Sequence, residues 1–215
     1  MTPIAYFGDM SATTLLLVLD LVGIAVFGVS GALAGVDKSL DLFGVLFLSV
    51  ATALGGGFMR DALIGSTPAA ALDDWRYLVV PLVVGLIVFY IHPAVARLSR
   101  IFLLVDAAGL GLFAVAGARK ALDFSVPPAG AVGIGMLTAI GGGIIRDVLV
   151  REIPAVLHRE IYATAALLAA VVVVAGDKAD FNNVATAAVA IACAFLLRVI
   201  SRWKQWSAPL PRVAE

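Results

Sequence analysis

The sequence predicts an all-α integral membrane protein with seven transmembrane helices, arranged as two inverted three-helix repeats plus a seventh helix. Three observations predict it: a very apolar composition, seven long apolar stretches and an internal repeat. Of the 215 residues, 62% are hydrophobic and 14% are charged, whereas soluble proteins are about 45–50% apolar and about 25% charged. The mean hydropathy of +1.05 excludes a water-soluble domain of this size, because one core could not bury so much apolar surface.

Seven stretches of the chain are long and apolar enough to be membrane-spanning helices, each of which needs about 20 mostly apolar residues. They cover approximately 13–35, 42–64, 77–92, 101–120, 128–150, 161–175 and 183–200. Short turn-rich gaps separate them, so residues 1–215 are expected to form a single membrane domain. The first basic residue is Lys38, so the first stretch lacks the basic start of a secretory signal and is expected to remain as a span.

The distribution of Lys and Arg predicts the orientation, because basic residues concentrate on the cytoplasmic side. With seven spans, four basic residues near span ends share the face of the N-terminus: Arg76, Arg119, Lys120 and Lys178. Eight lie on the opposite face: Lys38, Arg97, Arg100, Arg151, Arg159, Arg202, Lys204 and Arg212. We therefore expect an inner-membrane protein with its N-terminus outside and its C-terminus in the cytoplasm. The tail around Trp203 and Trp206 fits a headgroup anchor, or alternatively a specific site for anionic lipid.

A motif of three glycines, two apolar residues, Arg and Asp occurs twice, at 55–61 and 141–147. The two copies are 86 residues apart, and other identities keep that spacing without a gap. They pair Asp20 with Asp106, Gly23 with Gly109, Phe27 with Phe113, Gly31 with Gly117, Thr52 with Thr138 and Pro68 with Pro154. This register indicates a duplication.

The duplication predicts the architecture. Each copy holds three spans, at 13–92 and 101–175, and 183–200 forms a seventh helix outside the repeat. Because three is odd, the second copy enters the membrane from the opposite face. The halves are then related by a pseudo-two-fold axis in the membrane plane, as in many transport proteins, which favours a permeation path between them.

The glycine triplets Gly55-Gly56-Gly57 and Gly141-Gly142-Gly143 lie inside the second and fifth spans. Glycine costs about 1 kcal/mol per residue in a helix interior, so each triplet predicts a break that frees backbone carbonyls and amides to face an ion. The alternative is close helix packing through small residues. Neither triplet has the Lys-Ser/Thr ending of a phosphate-binding loop.

The motif ends on the charged pairs Arg60-Asp61 and Arg146-Asp147, and charged residues within spans usually face the bundle interior. Neighbouring residues on a helix point about 100° apart, so we expect pairing across the two halves, Arg60 with Asp147 and Arg146 with Asp61. In this interpretation both arginines line or gate a path. The alternative is that they reach back to water from near the span ends.

Four further polar residues are candidates for the same path. Asp20 and Asp106 lie near the starts of the first and fourth spans, where they either cap the helices or face a cavity. Thr52 and Thr138 precede the two triplets and would offer small polar groups to a passing ion.

The chemistry of an enzyme is missing from the sequence. The single cysteine, Cys193, lies in an apolar run, and His92 and His158 stand near span ends without metal-ligand spacing. No Ser-His-Asp or Cys-His set occurs at a convincing spacing, so we expect no catalytic residues, no cofactor and no metal. Fifteen basic residues balance fifteen acidic ones, so no nucleic-acid partner is expected.

The doubled motif at 55–61 and 141–147, the duplicated three-span halves and the seventh helix together resemble the prokaryotic branch of the trimeric intracellular cation (TRIC) channel family. The resemblance covers nearly the whole chain. It implies a homotrimer in membrane lipid, with a pore for monovalent cations, chiefly potassium, in each subunit, lined by the glycine-broken helices. Animal members carry a Lys-Glu-Val motif linked to phosphoinositide binding where this chain has Gly55-Gly56-Gly57, so lipid regulation is not implied.

The same domain family includes bacterial members regarded as transporters of small amino acids, particularly glycine. The quoted motifs are common to both classes, so a glycine carrier is the alternative function.

Overall fold

The computed structural model describes residues 10–95, 99–158, 161–204 and 206. Over these residues all regular structure is helical. The helices are α1 (Met10–Asp37), α2 (Leu42–Ile64), α3 (Ala70–Asp73), α4 (Arg76–Val95), α5 (Ser99–Asp123), α6 (Pro128–Leu149), α7 (Ala155–His158), α8 (Ile161–Lys178) and α9 (Asn183–Trp203). Two of them, α3 and α7, have only four residues. The other seven, which have 18 to 28 residues, overlap the seven predicted spans.

Five of the described helices are long and apolar enough to cross a membrane: Leu17–Asp37 within α1, and α2, α6, α8 and α9. In α4 the apolar stretch, Arg76–Ile91, is shorter. The described part of the chain is therefore that of a helical membrane protein.

Local sequence explains where several helices begin and end. The Asp41 carboxylate caps α2 by accepting a hydrogen bond from the Gly44 amide at 2.8 Å, and Asn182 caps α9 in the same way. Pro128 is the first residue of α6, where its missing amide hydrogen costs nothing. At the end of α2, Gly65 takes a left-handed conformation with φ of 71°, which glycine adopts without steric cost.

The long helices pack in two similar groups. In the first half α1 contacts α2 and α4, and in the second half α5 contacts α6 and α8. The halves meet through α1 against α5 and α2 against α6, and α9 packs on α5 and α8. The core between them is formed largely by alanines together with Phe27, Leu110 and Phe113, so the backbones can approach closely.

Two ion pairs join distant loops and helix ends. Lys38, after α1, pairs with Glu152, after α6; the hydrogen bond to that carboxylate raises the pKa of Lys38. Arg119, near the end of α5, pairs with Asp177, near the end of α8, at 2.9 Å. Before α4, the exposed guanidinium of Arg76 lowers the pKa of Asp74 by hydrogen bonding.

Several sequence predictions concern residues outside the described part of the chain. Both termini fall there, as do three of the basic residues used to predict the orientation, Arg97, Arg159 and Arg212.

Candidate functional site

The glycine triplets do not interrupt their helices. α2 continues through Gly55–Gly57 and α6 through Gly141–Gly143, so the predicted helix breaks are wrong and no carbonyls are freed there. The triplets instead bring α2 and α6 together. A Cβ at Gly56 would lie 2.1 Å from the Thr138 carbonyl oxygen, and one at Gly142 would lie 2.3 Å from the Thr52 carbonyl oxygen. Glycine destabilises an isolated helix, but here the close packing that it permits between α2 and α6 offsets that cost.

The two threonines are part of the same helix packing. The Thr52 hydroxyl donates to the Leu48 carbonyl at 2.7 Å, and the Thr138 hydroxyl donates to the Ile134 carbonyl at 2.6 Å. Both side chains are fully buried. Each hydroxyl proton is bound by the residue one turn earlier in its own helix, while the hydroxyl oxygen, the atom that would coordinate a cation, keeps its acceptor capacity. That these oxygens line a path stays a prediction.

Arg60 is the centre of a buried cluster, which we call the Arg60 network: Asp20, Arg60, Asp61, Tyr77 and Lys120. The Arg60 Nε donates to Asp61 Oδ1 at 2.8 Å, and its Nη1 donates to Asp20 Oδ1 at 3.1 Å. The Tyr77 hydroxyl donates to Asp20 Oδ2 at 3.1 Å. Lys120, which comes from α5 in the other half, donates to Asp61 Oδ1 at 2.8 Å.

The second half repeats this cluster as the Arg146 network: Ser30, Asp106, Arg146, Asp147, Tyr162 and Arg198. The Arg146 Nε donates to Asp147 Oδ1 at 2.9 Å, and its Nη1 donates to Asp106 Oδ1 at 2.7 Å. Arg146 Nη1 also donates to the Ser30 hydroxyl of α1 at 2.5 Å. The Tyr162 hydroxyl lies 3.5 Å from Asp106 Oδ1, at the limit of hydrogen bonding.

The observed ion pairs differ from the predicted ones. Arg60 pairs with Asp61 and Asp20 of its own half rather than with Asp147, and Arg146 likewise pairs within its own half. The prediction considered only the direction in which side chains leave the helix. It failed because a long arginine side chain curls back far enough for its Nε to reach the carboxylate of the next residue.

Burial distinguishes between the two interpretations of the arginines. The residues Arg60 and Arg146 are each 2% exposed, so their guanidinium groups lie in protein rather than at an open helix end. This argues against the interpretation that they reach back to water, and a role in lining or gating a path stays a prediction. Asp20 and Asp106 are also buried and bind arginine from within α1 and α5, so they do not cap helices.

Each network also holds a loop. The second carboxylate oxygen of Asp61 accepts the amide of Ala70, the first residue of α3, at 2.9 Å. Asp147 accepts the amide of Ala155, the first residue of α7, at the same distance. Asp61 and Asp147 therefore each link an arginine to the segment that follows α2 or α6.

Four residues of the networks were not predicted from the sequence: Tyr77, Tyr162, Ser30 and Arg198. Lys120 was predicted only as a loop charge. One signal was present in the sequence for the tyrosines. They are 85 residues apart, as are Ala70 and Ala155, because the second copy is one residue shorter after Pro154 than the first is after Pro68. Both pairs become visible only if the two halves are aligned with a one-residue gap after Pro154, because the ungapped spacing is 86.

Known proteins resemble this chain over most of its length. A family model described as glycine transporter matches residues 17–93 and 103–178. The UPF0126 membrane protein of Deinococcus radiodurans is 44% identical over 202 residues, which cover 92% of each chain. The UPF0126 inner membrane protein YadS of Escherichia coli K12 is 43% identical over 155 residues, which cover 72% of this chain and 75% of YadS.

Solved structures share the fold. The TRIC trimeric intracellular cation channel orthologue from Rhodobacter sphaeroides matches with a TM-score of 0.85 and 38% identity, over 90% of this chain and 100% of that one. A prokaryotic TRIC channel crystallised in 0.5 M KCl matches with a TM-score of 0.84 and 37% identity, over 90% and 98% of the two chains. These structures are of channels rather than enzymes. The chain therefore belongs to the family of the glycine-transporter model, which is the prokaryotic TRIC channel family of these structures.

Proposed function

We propose that the protein is a monovalent cation channel, chiefly for potassium, with one pore in each subunit of a homotrimer. The observation that carries the proposal is the similarity to TRIC cation channels, at TM-scores of 0.84–0.85 and 33–38% identity. The two buried arginine networks support it, because ionisable residues within a membrane protein usually mark an ion path.

The proposed topology has seven spans, with 13–92 and 101–175 as inverted repeats and 183–200 as the seventh helix. Two observations support it. The family model matches two segments that begin 86 residues apart, and the glycine contacts of α2 and α6 are reciprocal. The ion pairs Lys38–Glu152 and Arg119–Asp177 also fit, because this topology places both members of each pair on the same face of the membrane.

In this topology the two networks lie toward opposite faces, since α2 and α6 cross in opposite directions and each network forms near the end of its helix. The Arg60 network becomes an outer gate and the Arg146 network an inner gate. Each buried arginine would repel a cation, and its aspartates compensate that charge. We infer that opening moves Arg60 and Arg146 away from Asp20 and Asp106, so that neither guanidinium stands in the path and repels the cation.

Reconstitution tests this proposal against the alternative of a glycine carrier, which the description of the family model favours. Purified protein in planar bilayers should give single-channel steps in potassium chloride, with a reversal potential near that of potassium in a gradient. Native mass spectrometry should give the mass of a trimer. If liposomes show saturable counterflow of labelled glycine and the bilayers show no current steps, the protein is a glycine carrier and the channel proposal is wrong.

A further inference from the structure

The two arginine networks differ in the origin of their second basic residue. In the Arg60 network it is Lys120, which α5 supplies from the other half and which binds Asp61. Pseudo-symmetry would supply the Arg146 network from α1, but the residue 86 positions before Lys120 is Ala34. The second basic residue there is Arg198 of α9, near Asp106. A helix outside the repeat thus completes the charge balance.

Arg198 is buried yet incompletely bonded. It is 4% exposed, and its guanidinium carbon lies 4.5 Å from the centre of the Tyr162 ring. Its Nη2 lies 4.0 Å from Asp106 Oδ2, which is beyond hydrogen-bond distance. Its Nε has no hydrogen-bond partner among the described residues. A buried guanidinium with an unsatisfied N–H group is unfavourable, and a small movement of Arg198 toward Asp106 would provide a hydrogen bond.

Asp106 presents one oxygen to each arginine. Its Oδ1 accepts from Arg146 Nη1 at 2.7 Å, and its Oδ2 faces Arg198. A charge-assisted hydrogen bond measures about 2.7–2.9 Å, so a closing movement of about 1 Å would give Asp106 a bond to Arg198. Without a second partner, a buried Asp106 would be left unpaired whenever Arg146 departed, which is strongly unfavourable.

We propose that Arg198 is an exchangeable counter-ion: it forms a hydrogen-bonded ion pair with Asp106 when Arg146 moves away from that carboxylate. In this way α9 takes part in opening the inner gate. The inference rests on the proposed channel function and adds a helix outside the repeat to its gating. Arg198 is a positioning residue, which acts through Asp106 and not by contact with the ion. Its loss disfavours the open state more than the closed state, because its hydrogen bond to Asp106 forms only in the open state.

Single-channel recording from the reconstituted full chain tests this inference. Arg198→Gln should lower the open-to-closed ratio by about tenfold, the equivalent of one hydrogen bond to a charged group, and leave the conductance of the open pore unchanged. Arg198→Lys retains the charge and should keep the ratio within about threefold of the original protein. The matched control is Arg202→Gln, one turn further along α9 at an exposed position, which should not change gating.

A double variant separates this role from a structural one. If Arg198 acts through the Asp106 carboxylate, Arg198→Gln should have no further effect on the open-to-closed ratio in an Asp106→Asn background. A further fall in that background, unchanged gating in Arg198→Gln, or a tenfold loss in Arg198→Lys would each overturn the inference. The lysine variant decides the matter if the glutamine variant does not assemble. Absence of potassium current in the unaltered protein is a different result, since it removes the channel proposal itself.

Discussion

Phe27 of α1 and Phe113 of α5 meet edge to face, with ring centroids 5.1 Å apart and ring planes at 63°. They are separated by the repeat spacing of 86 residues, so each is the equivalent of the other. Gly23 and Gly109 provide the room: a Cβ would lie 3.0 Å from Phe113 at the first and 2.3 Å from Phe27 at the second. Contact between equivalent residues is typical of a two-fold axis, which supports the proposed relation between the halves.

Membrane orientation can be tested by cysteine labelling in a variant that lacks Cys193. We expect Ser39→Cys, in the loop after α1, to react only from the cytoplasm, and Ser125→Cys, in the loop after α5, to react only from outside. The reason is the excess of basic residues on the face that carries Lys38. A membrane-impermeant maleimide on intact and permeabilised cells makes the measurement. Reversed labelling would contradict the orientation but leave the inverted repeat intact.

Alanine substitutions distinguish helix packing from helix breaking. Gly56→Ala should destabilise the protein by about 1–3 kcal/mol, because its Cβ would collide with the Thr138 carbonyl. Gly57→Ala should be neutral or stabilising, because among the described residues the nearest atom that its Cβ would meet is the Nη2 of Arg60, in the same helix, at 4.0 Å. Thermal denaturation in detergent gives the comparison. The control is Gly133→Ala, whose Cβ would have no atom of the described residues within 4 Å. Equal effects at Gly56 and Gly57 would contradict this role in packing.

Neutralising either gating arginine should change gating but not ion preference. An arginine that crosses the whole field contributes about 2.3 kcal/mol per 100 mV, so Arg60→Gln and Arg146→Gln should raise the open probability and weaken its voltage dependence. Open probability and reversal potential in a potassium chloride gradient are measured for each variant. Arg76→Gln, at an exposed arginine bound to Asp74, is the control. A shift toward chloride would contradict the gate, and unchanged gating in both variants would favour a purely structural role for the two networks.

The tyrosines of the two networks should contribute unequally. Tyr77→Phe removes a 3.1 Å hydrogen bond to Asp20, which is worth about 1.5–3 kcal/mol when the acceptor is charged. In Tyr162→Phe the lost contact is 3.5 Å long and contributes little, while the ring under Arg198 remains. If Arg60 leaves Asp20 on opening, Tyr77 is the partner that Asp20 keeps. We therefore expect Tyr77→Phe to lower the open-to-closed ratio by about tenfold or more and Tyr162→Phe to change it far less. Tyr90→Phe, at an exposed position, is the control. Equal effects of Tyr77→Phe and Tyr162→Phe on the open-to-closed ratio would contradict this prediction.

The sequence by itself determined the helical elements and the residues that stand out within them. α2 begins and ends at the predicted residues 42 and 64, because apolar length, a capping aspartate and a terminal glycine are local properties of the chain. Asp20, Arg60 and Asp61 were recognisable for a similar reason. A charge within an apolar stretch is costly, so its presence twice at a constant spacing already indicates a role.

Only the tertiary structure decided which of these groups meet. Arg60 binds Asp20 rather than Asp147, and the glycine triplets join α2 to α6 rather than break them. Arg198 enters the second network from a helix that the repeat does not contain. Each of these contacts depends on where helices cross, to within a few tenths of an ångström. Residue spacing along one helix carries no information about the crossing point on another, which is set by the packing of all the helices together.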